Sequence, residues 1–247
     1  MCISVIAIDQ NEEFPLIILH NRDESREREA TPLSISDDSS SAYGVDLKGG
    51  GTWIGINSDA SVAFVTNQRT MEPFDDKKTS RGGLVKRFLD ENISPEEFRN
   101  TLFYSSQFFN PYNIVFGDRE SLFHFNSKSL SFIQLTRGVH TVSNASLNSG
   151  WYKEKKLKEN FKAALDKKQK PTELFELMLD EELAQDSDIP DTYLGHETEK
   201  KLSSIFVNQP NFGTLVTTLV TRDRSGNVRI IERTHSNPPK EVVHHFP

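Results

Sequence analysis

The sequence predicts an α+β fold, with helices layered outside antiparallel sheets, on three observations. Short apolar runs rich in Ile, Val and Leu occur in neighbouring pairs joined by brief polar turns, as antiparallel hairpins require. Two pairs of stretches with apolar residues at helical spacing separate the strand groups. No repeat, low-complexity tract or linker divides the 247 residues, so one domain over 1–247 is expected.

Residues 2–8 and 16–20 read as two buried strands joined by the turn Asp9-Gln10-Asn11-Glu12. Pairing them as a hairpin sets Cys2 at the sheet end where Asn21-Arg22-Asp23-Glu24 emerge. The polar stretch 25–41, with Pro32 and a serine tract at 39–41, reads as an exposed loop. Gly49-Gly50-Gly51 lacks the Lys-Ser/Thr of a P-loop and the spacing of a dinucleotide turn, so it is expected to be tightly turning backbone beside the sheet. A second hairpin, 52–56 with 61–66, turns at Asn57-Ser58-Asp59 and ends in Asn67-Gln68-Arg69.

Helices follow at 81–91, with Leu84, Val85, Phe88 and Leu89 on one face, and at 94–105. The second opens on Ser94-Pro95-Glu96-Glu97, with Ser as cap, Pro in the first turn and Glu behind it. Strands return at 113–116, 122–125, 130–135 and 139–142. Pro171 divides two further helical patterns, 151–165 and 172–183. The polar loop 185–196, with Pro190 and Gly195, is long enough for a functional lid. A strand at 205–207 and a hairpin of 215–221 with 228–232 complete the reading.

A net charge of −7 argues against nucleic-acid binding, which needs clustered Lys and Arg in excess. The basic run Lys153 to Lys158 is interleaved with Glu154 and Glu159 and reads as a solvated helix face. One cysteine excludes an internal disulfide and a Cys-based zinc site. The seven histidines are scattered: His244-His245 has no partner at ligand spacing, and His196-Glu197 lacks the second His of a zincin helix. No metal site and no required cofactor are therefore expected. No apolar run approaches the roughly 18 residues of a membrane helix. The first apolar stretch has no basic region before it and is interrupted by Asp9, Glu12 and Glu13, so a cytoplasmic location is the default.

The chemistry concentrates at the start. Cys2 stands behind the initiator methionine, and removal of Met1 gives it a free α-amino group, so one residue supplies nucleophile and base. An arginine close by would favour its thiolate; the bland alternative is an inert buried small residue. Arg22, Asp23 and Glu24 serve equally as part of a site or as an ion pair fixing the loop.

Several ordered motifs together resemble one family. They are Met-Cys at the start, Asn21-Arg22-Asp23-Glu24, Gly50-Gly51-Thr52-Trp53-Ile54-Gly55, Thr66-Asn67-Gln68-Arg69, Ser80-Arg81-Gly82, Tyr112-Asn113, Val142-Ser143-Asn144 and Ser204-Ile205-Phe206-Val207. They resemble the NRDE family, also called the Transport and Golgi Organisation family, in order over nearly the whole chain. The resemblance implies the N-terminal-nucleophile hydrolase superfold, a four-layer αββα sandwich, with a pattern similar to choloylglycine hydrolases and penicillin V acylases. It implies Cys2 as nucleophile with Arg22 and Asp23 beside it, though those enzymes usually have two residues between Arg and Asp. Asn67 would then donate to the oxyanion, and Asn144 would orient the α-amine or substrate. Glu24, Trp53, Arg69 and His196 are expected to contact substrate. Cys2, Arg22, Asp23, Asn67 and Asn144 should converge at one edge of a single sheet.

One departure stands out. The family usually has an arginine after the Gly-Thr of the late strand, and here Leu215 follows Gly213-Thr214, so the chain either lacks that arginine or replaces it from elsewhere, with Arg222 and Arg233 as candidates. Two functions follow from the resemblance. The first is an N-terminal-cysteine hydrolase acting on linear amide C–N bonds of a small-molecule substrate. The alternative is a non-catalytic member that binds or carries a hydrophobic ligand such as haem, or acts in Golgi organisation, since eukaryotic relatives are linked to those roles.

Overall fold

The computed structural model describes residues 2–38, 40–91 and 93–247. The initiator methionine, on whose removal the nucleophile reading depends, lies outside the described residues, as does Ser39 of the serine tract.

Among the described residues, thirteen strands form two antiparallel sheets. The first contains β1 (Cys2–Ile8), β2 (Leu16–Ser25), β10 (Gly138–Val142), β11 (Phe212–Arg222), β12 (Val228–Thr234) and β13 (Lys240–Phe246), in the order β10-β1-β2-β11-β12-β13. The second runs in chain order: β3 (Ser34–Ile35), β4 (Ser41–Tyr43), β5 (Ile54–Asn57), β6 (Val62–Asn67), β7 (Tyr112–Gly117), β8 (Leu122–Asn126) and β9 (Ser131–Gln134).

Strand alternation sorts the apolar residues into three cores, because successive side chains leave a strand on opposite faces. Ile6, Ile18, Val220 and Ile230 of the first sheet meet Ile56, Phe64 and Val115 of the second. Their sequence neighbours Val5, Ile17, Leu219 and Ile231 face outward onto Leu157 and Phe161 of α3 (Tyr152–Asp166) and Phe175 of the 3₁₀ segment Pro171–Leu179. The outer face of the second sheet, with Ile114 and Phe116, packs on Leu84 and Phe88 of α1 (Gly82–Asp90) and Phe98 of α2 (Pro95–Ser105). Both sheets thus lie between helical layers, giving the expected αββα sandwich. The Ser94–Glu97 capping box forms as its sequence predicts. Among the described residues, no helix is long and apolar enough to cross a membrane.

Four departures from the sequence reading have physical causes. β2 extends past residue 20 to Ser25, because Asn21–Asp23 are paired with β1 or β11 and are buried despite their polarity. The expected helix over 172–183 is a 3₁₀ segment that ends at Leu179, although Leu174, Phe175 and Met178 still bury against the sheet. Residues 205 and 206 form a bend and 207 joins no strand; among the described residues the pairing nearby is an isolated bridge between Asn208 and Gly213. β13 escapes a hydrophobic reading because it is an edge strand with its side chains mostly exposed.

Candidate functional site

The register of β1 and β2 sets Cys2 directly opposite Arg22. On the other side of β2, Asp23 pairs with Thr214 and Arg22 with Val216, so Leu215 is the extra residue of a β-bulge. Cys2, 7% exposed, opens on a cavity of about 610 Å³ that Arg22, Asp23, Glu24, Trp53 and Asn67 also line. Cys2, Arg22 and Asp23 come from the first sheet and Asn67 from the end of β6 in the second. The residues therefore meet at one end of the gap between two sheets, which corrects the expectation of a single sheet edge.

Alternation along β2 divides the charged cluster between two faces. Arg22 turns toward the second sheet, where its guanidinium lies 4.5 Å over the Trp53 ring and its Nη2 donates to Asp46 at 2.8 Å. Arg28 donates to the same carboxylate at 2.9 Å. Burial opposes ionisation of Asp46, yet Arg28, the Gly49 N–H and Arg22 together hold its carboxyl below the ordinary value. Asp23 accepts from Thr214 Oγ1 at 2.7 Å. Burial pushes the Asp23 carboxyl up, against the opposing charge of Lys153 and the Thr214 hydroxyl. Burial also pushes the Cys2 thiol up, and the Asp23 charge adds to this; the Asp23 backbone N–H and Arg22 pull the other way. The resting sulfur is therefore a protonated thiol.

Behind this wall lies a second buried cluster. Arg69 forms an ion pair with Glu199 of α4 (His196–Lys201), and its Nη2 donates to Asn144 Oδ1 at 2.8 Å. Asn144 Nδ2 in turn donates to the Asn67 carbonyl at 2.9 Å. Lys153 reaches Asn144 Oδ1 at 3.4 Å, and burial beside the Arg69 charge lowers its pKa to about 8. The cluster ties β6, the end of β10, α3 and α4 together behind Asn67.

The scan against protein-family models matches residues 1–237 to the family described as Transport and Golgi organisation 2. The chain belongs to this family. A curated human relative, Transport and Golgi organization protein 2 homolog, is 27% identical over 261 residues, covering 95% of this chain and 93% of the relative. The mouse Transport and Golgi organization 2 homolog is 26% identical over 266 residues, with the same coverage. Among solved structures, the C2A mutant of conjugated bile acid hydrolase from Clostridium perfringens superposes with a TM-score of 0.47 and 9% identity, covering 100% of this chain and 97% of that one.

The residues expected at the site fall into three groups in space. Cys2, Arg22, Asp23, Glu24, Trp53 and Asn67 line one cavity. Asn144 and Arg69 do not line it: the Asn144 amide is occupied by the Asn67 carbonyl, and Arg69 lies in the second cluster with Trp151 5.6 Å away. Both stand behind the end of β6, where Asn144 bonds to Asn67 and to Arg69. His196 lies apart from both, half exposed at the start of α4 and 3.9 Å from Asp186. The 185–196 loop, read as a lid, supplies none of the residues lining the cavity, and its Tyr193 N–H donates to the Thr70 carbonyl at 3.2 Å instead.

Neither candidate replacement for the family arginine is at the site. Arg222 pairs with Leu16 at the far end of the sheet and donates to the Asp118 carbonyl at 2.6 Å. Arg233 sits 3.9 Å from the Phe175 ring on the outer face. Leu215 packs against the core between the sheets. The cavity instead receives Arg28 and Arg81, and the second cluster receives Lys153. Arg81 stands in the quoted Ser80-Arg81-Gly82 motif, so its signal was present in the sequence. Lys153 and Glu154 belong to the run read as a solvated helix face, yet they are 2% and 1% exposed, with Glu154 accepting from Ser143 at 2.5 Å. The glycine run does turn the chain: Gly50 has φ +67°, and a Cβ on Gly51 would lie 2.2 Å from the Gly82 carbonyl carbon. Among the described residues, no group of three or more His, Cys, Asp and Glu side chains is placed to hold a metal ion.

Proposed function

We propose that the chain, as a single domain over 1–247 and after loss of Met1, is an N-terminal-cysteine hydrolase of linear amide C–N bonds, acting in the cytoplasm on a small-molecule substrate. The observation that supports this most is Cys2 opening on a cavity shared with Arg22, Asp23 and Asn67. In the reaction, the freed α-amine of Cys2 takes the thiol proton as sulfur attacks the amide carbonyl. Asn67 donates to the developing oxyanion, a contact of a kind that contributes ~3 kcal/mol to the transition state. The C–N bond then breaks, the α-ammonium returns the proton to the leaving nitrogen, and water hydrolyses the thioester to acid and free thiol. A base carried by the nucleophile itself suits a thiol that burial keeps protonated.

The test is amine release from a panel of N-acyl amides, with Met1 loss verified first by the mass of the intact protein. Release by the wild type that disappears in Cys2→Ala and falls about 100-fold in Asn67→Ala supports the reading. Equal release by wild type and Cys2→Ala overturns it.

A second reading takes the chain as a non-catalytic carrier of a hydrophobic ligand such as haem, or as a factor in Golgi organisation. It is favoured by the names of the curated relatives and by a neutral resting thiol. Haem titration distinguishes it: a Soret shift lost in Cys2→Ala supports the carrier, and no shift argues against haem.

A further inference from the structure

We infer that the cavity binds a substrate carrying a carboxylate, and that the Arg81 guanidinium is the group that receives it. The inference rests on the hydrolase reading for the identity of the ligand as substrate, while the binding itself does not depend on hydrolysis.

The sign of the cavity is the first observation. The chain carries a net charge of −7, yet five cationic side chains, Arg22, Arg28, Lys48, Lys78 and Arg81, line this wall against four carboxylates. A cleft whose charge opposes that of the protein around it concentrates ligands of the complementary sign. An excess of one positive charge suits a monoanion such as a carboxylate better than a phosphate monoester, whose charge at neutral pH is about −2.

The second observation is which guanidinium of this wall lacks a carboxylate. Lys48 and Lys78 also pair with none among the described residues, but a lysine is a single-point donor on a flexible stem, and Lys78 reaches the Phe109 carbonyl at 3.3 Å. Arg22 and Arg28 share Asp46. Arg81 forms no ion pair with any carboxylate among the described residues. Among the described residues its guanidinium makes one hydrogen bond, to the Pro111 carbonyl at 3.4 Å, and the Phe74 ring lies 5.7 Å away. A guanidinium offers five donors in a planar fork that fits a carboxylate in bidentate geometry. A partly buried fork with one long bond is incomplete without a ligand. Burial lowers its pKa to about 10, which leaves it fully charged at neutral pH.

The third observation is direction. Arg81 precedes α1, a helix with no side-chain cap and no acidic residue in its first turn, and Gly82 at that end also lines the cavity. The positive end of the helix therefore adds to the guanidinium instead of being neutralised by the chain. Arg81 and Cys2 line the same cavity, so an anion on Arg81 and an amide at the sulfur fit within one small molecule.

The experiment uses the full chain with Cys2→Ala, so that binding is read without turnover, and titrates N-octanoylglycine against its neutral amide, N-octanoylglycinamide, by calorimetry. The carboxylate should bind at least about tenfold more tightly, as a charge-assisted hydrogen-bonded pair implies. Adding Arg81→Gln should abolish the preference, and Arg81→Lys should restore part of it. Equal binding of the two probes, no binding of either, or a preference that survives in a folded Arg81→Gln protein overturns the inference, as does tighter binding of octyl phosphate than of the carboxylate. Should Arg81→Gln not fold, the Arg81→Lys protein decides: a weakened preference supports the assignment and an unchanged one overturns it. A carboxylate preference without amine release from the wild type supports this inference while counting against the hydrolase.

Discussion

Leu16–Leu19 and His20–Asp23 are adjacent halves of one strand, each at most 4% exposed, and they are held by different physics. In the first half, each apolar side chain contributes roughly 2 kcal/mol by leaving water. In the second, every group needs a partner. His20 meets Ser4 Oγ at 2.7 Å and stays neutral, with its pKa lowered by burial to about 3. Asn21 donates to the Met178 and Ile205 carbonyls at 2.9 and 3.0 Å and accepts from Thr217 at 2.7 Å, clamping the outer layer onto the sheet. Buried polarity of this kind yields little net stability even when fully paired. Its concentration at the strand end beside Cys2 shows where the fold accepts weaker stabilisation to obtain charged and hydrogen-bonding groups at the cavity.

The largest expected effect extends the polar side of the comparison to the buried ion pair behind the cavity, Arg69 with Glu199. Arg69→Met leaves Glu199, 1% exposed, without its ion-pair partner, and should lower unfolding free energy by about 4 kcal/mol in urea titration. Leu19→Ala removes a buried side chain of the apolar half and should cost about 3 kcal/mol by the same measurement, with the rate of Cys2 alkylation unchanged. Similar losses of Cys2 reactivity in both variants would erase the distinction between the halves.

Glu232 sharpens it through pH. This residue pairs with Thr218, itself opposite His20, and accepts from the Leu33 N–H at 2.8 Å. Burial raises its pKa from 4.5 to about 7. The unfolded carboxyl ionises first as pH rises, so the stability contributed by the protonated folded form is complete below 4.5 and lost by about pH 7. Glu232→Gln keeps the acceptor and removes the titration. The stability of the variant relative to wild type should rise by roughly 3 kcal/mol across that window and then level off. A flat difference would contradict the burial argument. The smallest effect belongs to the exposed side of the Asp46 pair: Arg28→Ala leaves Arg22 on Asp46 and should change stability by less than about 1 kcal/mol.

The same contrast explains what was legible in the sequence. The apolar half of β2, the hairpin of β5 and β6 and the capped start of α2 follow from periodicity and turn chemistry. The polar half of β2 carries no hydrophobic signal, since its burial depends on partners more than 100 residues away, such as Met178 and Ile205. Lys153 and Glu154 look like their solvated neighbours because a charged residue's burial is decided by what packs over it. The ordered motifs brought Cys2, Arg22, Asp23 and Asn67 to notice correctly as neighbours. They gave no means of telling that Asn144 and Arg69 stand behind the wall, or that His196 sits in solvent.

The central claim is that Cys2 is the reacting group, and the mass of the intact protein tests it most directly. Protein with Met1 removed, mixed with an N-acyl amide and quenched in acid, should gain the mass of the acyl group on the peptide beginning at Cys2, with one equivalent of amine released. No acyl adduct on fully processed protein despite continuing amine release, or an adduct that persists in Cys2→Ala, would contradict it.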